Sequence, residues 1–442
     1  MLLLFACQEP AEPITASALS SELHGDVGTI AYVSWHQSAP SSSWVEYEVD
    51  GETRATPAVD RDGGTHEQVL LGLPGDTEIS WRVVIHEEHS ELDKWQSEAQ
   101  TLTTDAVPAD FPTIDVPVWE PDQAHGADFV FGSVDINGGD PYTGPFWLYI
   151  ADREGRVVWW RDLDWDMSMF PRVARDGTHL AWDQRTFFDT IGDSSRVMRT
   201  TLDGAWSIET PAAGMGWTWD ETEHGSIVFD RTIGTSDLQL VERDDAGDET
   251  VIWDCTAWLA STFDGVDPEA CYTNTTNYSA DRDTVLWSTY WGDYVAEIDR
   301  STGAVLWYAG ALDGGLAFDP PEAAFDLQHY PNWTPDGTLL VSTHIAGVDG
   351  EQRAREFEVD TDAGVLTEIW SYGEGVTEVW AKYSGDAVRL DNGNTVQNYG
   401  TGGELREVTP DGEIVWSFQF GDSFTVGHAD LITDLYALNE GR

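Results

Sequence analysis

The chain has 442 residues, 22 Lys+Arg against 80 Asp+Glu and a formal charge of −58, which is one uncompensated negative charge for roughly every eight residues. Such a field excludes nucleic acid as a partner, because binding it requires Lys/Arg to neutralise phosphates, and it excludes adhesion to an anionic membrane through a polybasic patch. With 41% apolar and 12% aromatic residues, including 22 Trp, the chain is nonetheless a folded one.

The N-terminus reads Met1-Leu-Leu-Leu-Phe-Ala-Cys7, a short apolar run ending in a small residue before a cysteine, followed by the polar Gln8-Glu-Pro-Ala-Glu-Pro13. It resembles the lipobox of bacterial lipoproteins, which implies cleavage before Cys7 and lipidation of that cysteine. The run is shorter than a full secretory signal, so an ordinary apolar N-terminus with an incidental Cys is the competing reading. No other stretch approaches the ~18 apolar residues of a membrane span, so contact with a membrane is expected through the N-terminal lipid only. Residues 1–13 are thus expected to be signal and tether of an exported, envelope-anchored protein.

Residues 14–105 read as short alternating strands: Ile30–Trp35, Ser43–Val49, His66–Leu71, Glu78–Ile85 and Ala99–Thr104, separated by Gly, Pro, Ser and Asp. This spacing predicts a β-sandwich. The segment Leu71-Gly-Leu-Pro-Gly-Asp-Thr-Glu-Ile-Ser-Trp-Arg-Val83 resembles the strand E to strand F corner of fibronectin type III domains, with Ile79 where that family has its corner tyrosine. Next comes a Pro-rich stretch, 106–121, with four prolines in Pro108–Pro121, which predicts an extended linker and excludes a central strand.

Residues 122–442 repeat themselves loosely. One unit is a turn followed by an apolar strand, at 176–181, 224–229, 281–287, 336–341 and 391–396. The other is an Asp/Gly turn leading to a strand that usually ends in Trp. It occurs six times, with strand ends at Trp159, Ile208, Trp253, Trp307, Trp370 and Trp416, hence steps of 49, 45, 54, 63 and 46 residues. Those steps suit four-stranded blades of a six-bladed β-propeller, the Trp rings filling the space between sheets. The expected fold is therefore all-β, a sandwich followed by a propeller.

Cys255 and Cys271 are the pair available for a disulfide in an exported chain. With no CxxC and no His between them a zinc site has no support. Asp135–Asp140, Asp281-Arg-Asp283 and Asp360-Thr-Asp362 carry carboxylates suited to structural Ca²⁺, but none matches a twelve-residue calcium loop and turn formation accounts for them better.

A propeller gathers its active groups at one mouth of the central channel, so candidates recur at similar phases of the repeat. Three segments do so: Cys271–Tyr278, Phe325–Leu340 and Tyr383–Thr395. The Gln328-His329 pair before a Pro-Asp-Gly turn, the Arg353 to Glu356 run, the Asp299–Trp307 turn, and Arg389-Leu-Asp-Asn-Gly-Asn394 leading to Gly402–Gly412 together resemble the arylsulfotransferase (arylsulfate sulfotransferase) family over about residues 110–442. The resemblance implies a six-bladed propeller behind a small β-domain, needing no cofactor. It also implies transfer of a sulfuryl group from an aryl sulfate to a phenol through a histidine.

On that pattern His329 and one of Arg353 or Arg355 are catalytic. Tyr272 and Asn274 stand in Tyr272-Thr-Asn-Thr275 where the family has His-x-Asn-Ser, and with Arg389 they are substrate-binding. The family's nucleophilic histidine is missing from Tyr383–Arg389, and His428 and His344 are its candidate replacements, His428 because a closing C-terminal strand brings it toward the channel. The competing class is a non-catalytic propeller lipoprotein that binds a ligand or a surface partner. A protein this acidic needs a local cation to hold a sulfate, and Arg353, Arg355 and Arg389 are expected to supply it.

Overall fold

In the computed structural model, which describes residues 13–441 apart from 87–93, 137–141, 186–193, 234–236, 345–350 and positions 377, 380, 382 and 422, all the long elements are strands, with one α-helix and a few single turns. Cys7 lies outside the described residues. Two compact units are present, Met1–Ala109 with Val157–Trp159, and Asp110–Arg156 with Trp160–Arg442.

In the first unit, alternate residues of Ala31–Gln37, Ser41–Val49 and Glu78–His86 are buried and their neighbours less so, the period-2 signature of strands covered on one face. A three-stranded sheet, Ala16–Leu23, Ala31–Gln37 and Gly64–Leu70, faces a second sheet built on Ser41–Val49 and Glu78–His86. Between them lie Trp35, Trp81, Tyr47, Val33, Val45 and Val83. Ile79, at the corner position, is fully buried. The Leu71 carbonyl there accepts a hydrogen bond from Tyr47 Oη at 3.1 Å instead.

The second unit is the propeller, six sheets of four or five strands, antiparallel apart from the edge strand Ala317–Asp319, which runs parallel to Val365–Tyr372. The six Asp/Gly-turn repeats, five ending in Trp and one in Ile208, are the fourth, outer strands: Val157–Asp164, Ser207–Pro211, Glu249–Asp254, Val305–Gly310, Val365–Tyr372 and Ile414–Gln419. The five shorter repeats lead into second strands, such as Leu180–Gln184 and Thr284–Thr289. The C-terminal strand Thr425–Ile432 pairs with Phe129–Asp135 and becomes the inner strand of the first blade, so the two ends of the propeller sequence share one sheet and close the ring.

The Pro-rich stretch is only partly a linker. Asp115–Trp119 pairs with Ile414–Gln419 as a fifth strand on the outer edge of the last blade. Pro117 is tolerated because an edge strand need not use every N–H, and the register shifts between Asp115 and Val118 around it.

Inner strands of successive blades pack against one another around the channel, as between Met215–Glu221, Thr273–Ser279, His329–Trp333 and Asp386–Arg389. Asparagine amides stitch them together. Asn274 Nδ2 donates to the Gln328 carbonyl at 2.6 Å, Asn277 Nδ2 to Pro331 at 2.7 Å, Asn332 Nδ2 to Ala387 at 2.8 Å and Asn398 Nδ2 to Gly427 at 2.8 Å. Each pair satisfies an amide and a carbonyl buried away from water, and so fixes how neighbouring blades meet.

Tryptophans fill the rest. Trp182, Trp219, Trp287 and Trp416 are fully buried, and arginines lie over several rings, Arg282 at 3.9 Å from Trp333, Arg153 at 4.1 Å from Trp416 and Arg389 at 4.4 Å from Trp370. The disulfide expected between Cys255 and Cys271 is formed, with Cα atoms 5.9 Å apart, and ties the short helix Cys255–Thr262 to the turn Pro268–Cys271. Replacing both cysteines by alanine is expected to lower stability by about 3 kcal/mol, the entropy of closing a loop of this length. Urea titrations of the double variant and the parent check this, and an unchanged midpoint would contradict it.

The Asp/Gly turns considered for Ca²⁺ are occupied within the protein: Asp283 pairs with Arg300 Nε at 2.5 Å and Asp360 Oδ1 accepts from Ala363 N at 2.8 Å. Asp135 accepts from the Tyr142 N–H, and 137–140 of its run are outside the described residues. Among the described residues no cluster of three or more His, Cys, Asp or Glu is arranged to hold a metal ion.

Candidate functional site

One mouth of the channel opens into a cavity of about 520 Å³. Its walls come from the segments that enter inner strands or link the strands behind them. Tyr142 lies in the first blade, Trp217 in the third, Tyr272, Tyr290 and Trp291 in the fourth, and Tyr383 before the sixth. Trp291 is 64% exposed and Tyr272 37%, forming the lip, while Tyr142 is buried and its Oη meets Ser384 Oγ at 2.6 Å. Trp217 Nε1 donates to Tyr272 Oη at 3.1 Å. The Trp217 ring stands edge-on to Tyr142 with centroids 5.5 Å apart, the geometry that ring quadrupoles favour.

The backbone around this cavity is held in unusual conformations. Tyr142, Leu327, Tyr330 and Ser384 all have positive φ, at 71°, 47°, 51° and 62°. Non-glycine residues rarely adopt this region, and such outliers gather at functional sites, where the surrounding fold holds them. Gly427 makes the opposite contribution: a Cβ there would collide with Ser133 Oγ and the Met169 carbonyl. Its absence lets the next residue, His428, donate its N–H to that carbonyl at 2.8 Å.

His329 opens the inner strand of the fifth blade and lines the cavity. Among the described residues its ring has no hydrogen-bond partner, and burial, with His344 adding to it, lowers its pKa to about 3. It is therefore an uncharged imidazole at neutral pH. His344, at the end of the neighbouring strand, does not line the cavity, and burial lowers its pKa too.

His428 forms part of the floor. Its Nδ1 lies 3.1 Å from Asp386 Oδ2 and its Nε2 3.1 Å from Asp430 Oδ1, while Tyr330 stacks on the ring at 4.6 Å. Burial opposes the charged form, but Asp386 and then Asp430 outweigh it and raise the pKa to about 9. His428 is thus an imidazolium locked between two carboxylates, with no lone pair for nucleophilic attack. Beneath it Arg172 pairs with Asp220 at 2.5 Å, and Arg175 meets the other oxygen of that carboxylate at 2.7 Å.

Of the residues expected at the site, His329, His428, Tyr272 and Asn274 line this one cavity. The arginines do not. Arg353 pairs with Glu351 at 3.0 Å and Glu374 at 3.7 Å, Arg355 with Glu368 at 2.6 Å, and Arg389 with Glu356. The expected cationic focus is corrected accordingly: where acidic residues outnumber basic ones almost fourfold, each of these guanidinium groups meets a carboxylate inside its own blade or the next, and the cavity walls are left without them. Sequence reasoning had missed Tyr142, Trp217, Tyr290, Trp291 and Asp386. The signal that finds them is their phase, since Tyr272 and Tyr383 precede inner strands and Trp217 stands in the first half of one.

No protein-family model matches the chain, and no curated protein matches it. Among solved structures it is similar to a catalytically inactive virginiamycin B lyase from Staphylococcus aureus with quinupristin, at 11% identity and a TM-score of 0.38, covering 68% of this chain and 87% of the other. A putative 6-phosphogluconolactonase from Bacteroides fragilis is similar at 12% identity and TM-score 0.39, over 88% and 98% of the two chains. The calcium-binding protein regucalcin from Agrobacterium tumefaciens is similar at 13% and 0.36, over 57% and 73%. These likenesses concern the propeller fold alone.

Proposed function

We propose that the channel mouth binds a flat aromatic small molecule of the phenol class. The observation that carries this reading is the wall of six Tyr and Trp side chains around one cavity with His329 and Asn274 set among them. Rings supply apolar area and quadrupole contacts to a planar ligand, and the uncharged His329 and the amide of Asn274 offer hydrogen bonds to a hydroxyl. Quenching of tryptophan fluorescence by 2-naphthol tests it. Saturation at one site is expected, with affinity about tenfold weaker in Trp291→Ala, the loss of one stacking ring. A titration that does not saturate, or that Trp291→Ala leaves unchanged, would overturn it.

Sulfuryl transfer from an aryl sulfate to a phenol is the second reading, supported by His329 as an uncharged imidazole open to the cavity. Its ring nitrogen would attack sulfur as the S–O(aryl) bond breaks and phenolate leaves. A second phenol would then take the sulfuryl group, give up its proton and restore the imidazole. After incubation with 2-naphthyl sulfate, this reading expects released naphthol and an acid-labile sulfuryl adduct on the His329 peptide. Neither appearing leaves the non-catalytic, ligand-binding protein.

Export with lipidation at Cys7 belongs to the same proposal, supported by the buried Cys255–Cys271 disulfide, which persists in oxidising compartments.

A further inference from the structure

The proposed aromatic site also has a sign. None of its described walls carries a lysine or arginine, and His329 contributes no charge at neutral pH. His428 is cationic but is clamped by Asp386 and Asp430, so that cluster of three is not a source of positive potential. Arg185 lies behind Trp217, 5.2 Å from its ring, with its charge met by Asp183 at 3.3 Å. Arg172 and Arg175, below the floor, share Asp220, and Asp430 is also close to Arg172, so His428 and these two arginines are matched by three carboxylates.

Parts of the wall, by contrast, adjoin carboxylates. Asp135 accepts from the Tyr142 N–H, Asp293 raises the pKa of Tyr290 by its proximity after burial and Tyr383, and Asp386 is itself part of the wall. The remaining surface is that of a chain with net charge −58.

A cavity lined by electron-rich rings with carboxylates beside it, and with its nearby arginines held in ion pairs outside the walls, is the kind of setting that holds organic cations through their attraction to the ring quadrupole. We infer that the ligand of this cavity is a cation, a quaternary or tertiary ammonium carried on a flat phenolic body, held among Tyr142, Trp217, Tyr272, Tyr290, Trp291 and Tyr383. The inference rests on the aromatic-binding reading and adds the charge. It also opposes the sulfuryl reading, because an aryl sulfate entering here meets no free cation among the described residues and would be repelled.

Three probes of matched shape test it by calorimetric titration at physiological salt: phenyltrimethylammonium, its neutral isostere tert-butylbenzene, and phenyl sulfate. The cation is expected to bind at least tenfold more tightly than the isostere, with phenyl sulfate weakest. Trp291→Ala, a change at an exposed position that keeps every charge, is expected to remove most of the cation's advantage, whereas Trp291→Phe keeps it. Equal affinity of cation and isostere would overturn the inference and leave the aromatic-binding reading standing. Tighter binding of phenyl sulfate would overturn it in favour of the sulfuryl reading. Binding of the cation that Trp291→Ala does not alter would assign it to the acidic surface and overturn the inference. Binding of none of the three would overturn the inference, and the 2-naphthol titration then decides the aromatic-binding reading separately.

Discussion

Replacing Arg153 with methionine is expected to destabilise the propeller by about 3–5 kcal/mol, the effect of leaving one member of a buried ion pair without its partner. Arg153 and Glu407 are both almost completely buried, at 3% and 0% side-chain exposure, and they bridge the first blade to the last. The guanidinium lies 5.1 Å from the Trp119 ring and 4.1 Å from Trp416. Glu407 in turn accepts from Asn394 Nδ2 at 2.7 Å and from the His125 N–H at 2.6 Å. Removing the cation leaves a carboxylate in a nearly dry site at the seam where the ring closes. The double variant R153M/E407Q keeps the hydrogen bonds of residue 407 without its charge, so it is expected to recover most of the loss. Urea denaturation of the two single variants and the double gives the coupling directly. A single variant within 1 kcal/mol of the parent would contradict this account of the seam.

His428→Gln is expected to have a loss of similar size, about 3–5 kcal/mol at pH 6, because Asp386 and Asp430 then lose the cation held between them. The pH dependence gives a sharper test. The ring titrates near 6.5 in the unfolded chain and at about 9 in the folded one, a difference worth about 3 kcal/mol. A cation whose pKa is raised by folding stabilises fully below its unfolded value, and that contribution is lost as pH rises from about 6.5 through 9. The parent is therefore expected to lose stability over this window, relative to His428→Gln, whose own profile lacks that step. Parallel profiles for the two proteins would show that His428 is not held between the carboxylates.

His329 contributes with the opposite sense. Its folded pKa of about 3 lies below the ordinary 6.5, so acidification between those values charges the unfolded chain first and weakens the fold, an effect that His329→Ala is expected to lessen.

Much of the architecture was legible in the sequence because blades repeat. The turn before Trp253, Trp307 or Trp416 announces an outer strand each time, with its apolar residues and its ring at the same phase. Closure of the ring was legible as well, since a strand pattern around His428 remains after the last complete repeat. The Asp115–Trp119 strand was hidden because Pro117 reads locally as a breaker, and only the free edge of Ile414–Gln419 makes it a strand.

The site was legible in part, for a different reason. His329, Tyr272 and Asn274 stand at recurring positions that a ring brings to one mouth. Trp217 and Trp291 look in sequence like the core tryptophans Trp219 and Trp287, two and four residues away. Only the direction of each side chain on its strand or loop separates wall from core. The arginines misled for a third reason. Glu368, the partner of Arg355, lies on the adjoining strand and Glu356, the partner of Arg389, in the neighbouring blade; no local pattern discloses either meeting, so ion pairs of the frame passed for a binding cluster.

A crystal structure of the protein grown with 2-naphthol decides whether the channel mouth is the functional site. The ligand is expected in the channel mouth between Trp217, Tyr272 and Trp291, its hydroxyl within hydrogen-bond distance of His329 or Asn274. Naphthol seated elsewhere, or a mouth cavity holding only water at saturating ligand, would contradict the assignment of this cavity as the functional site.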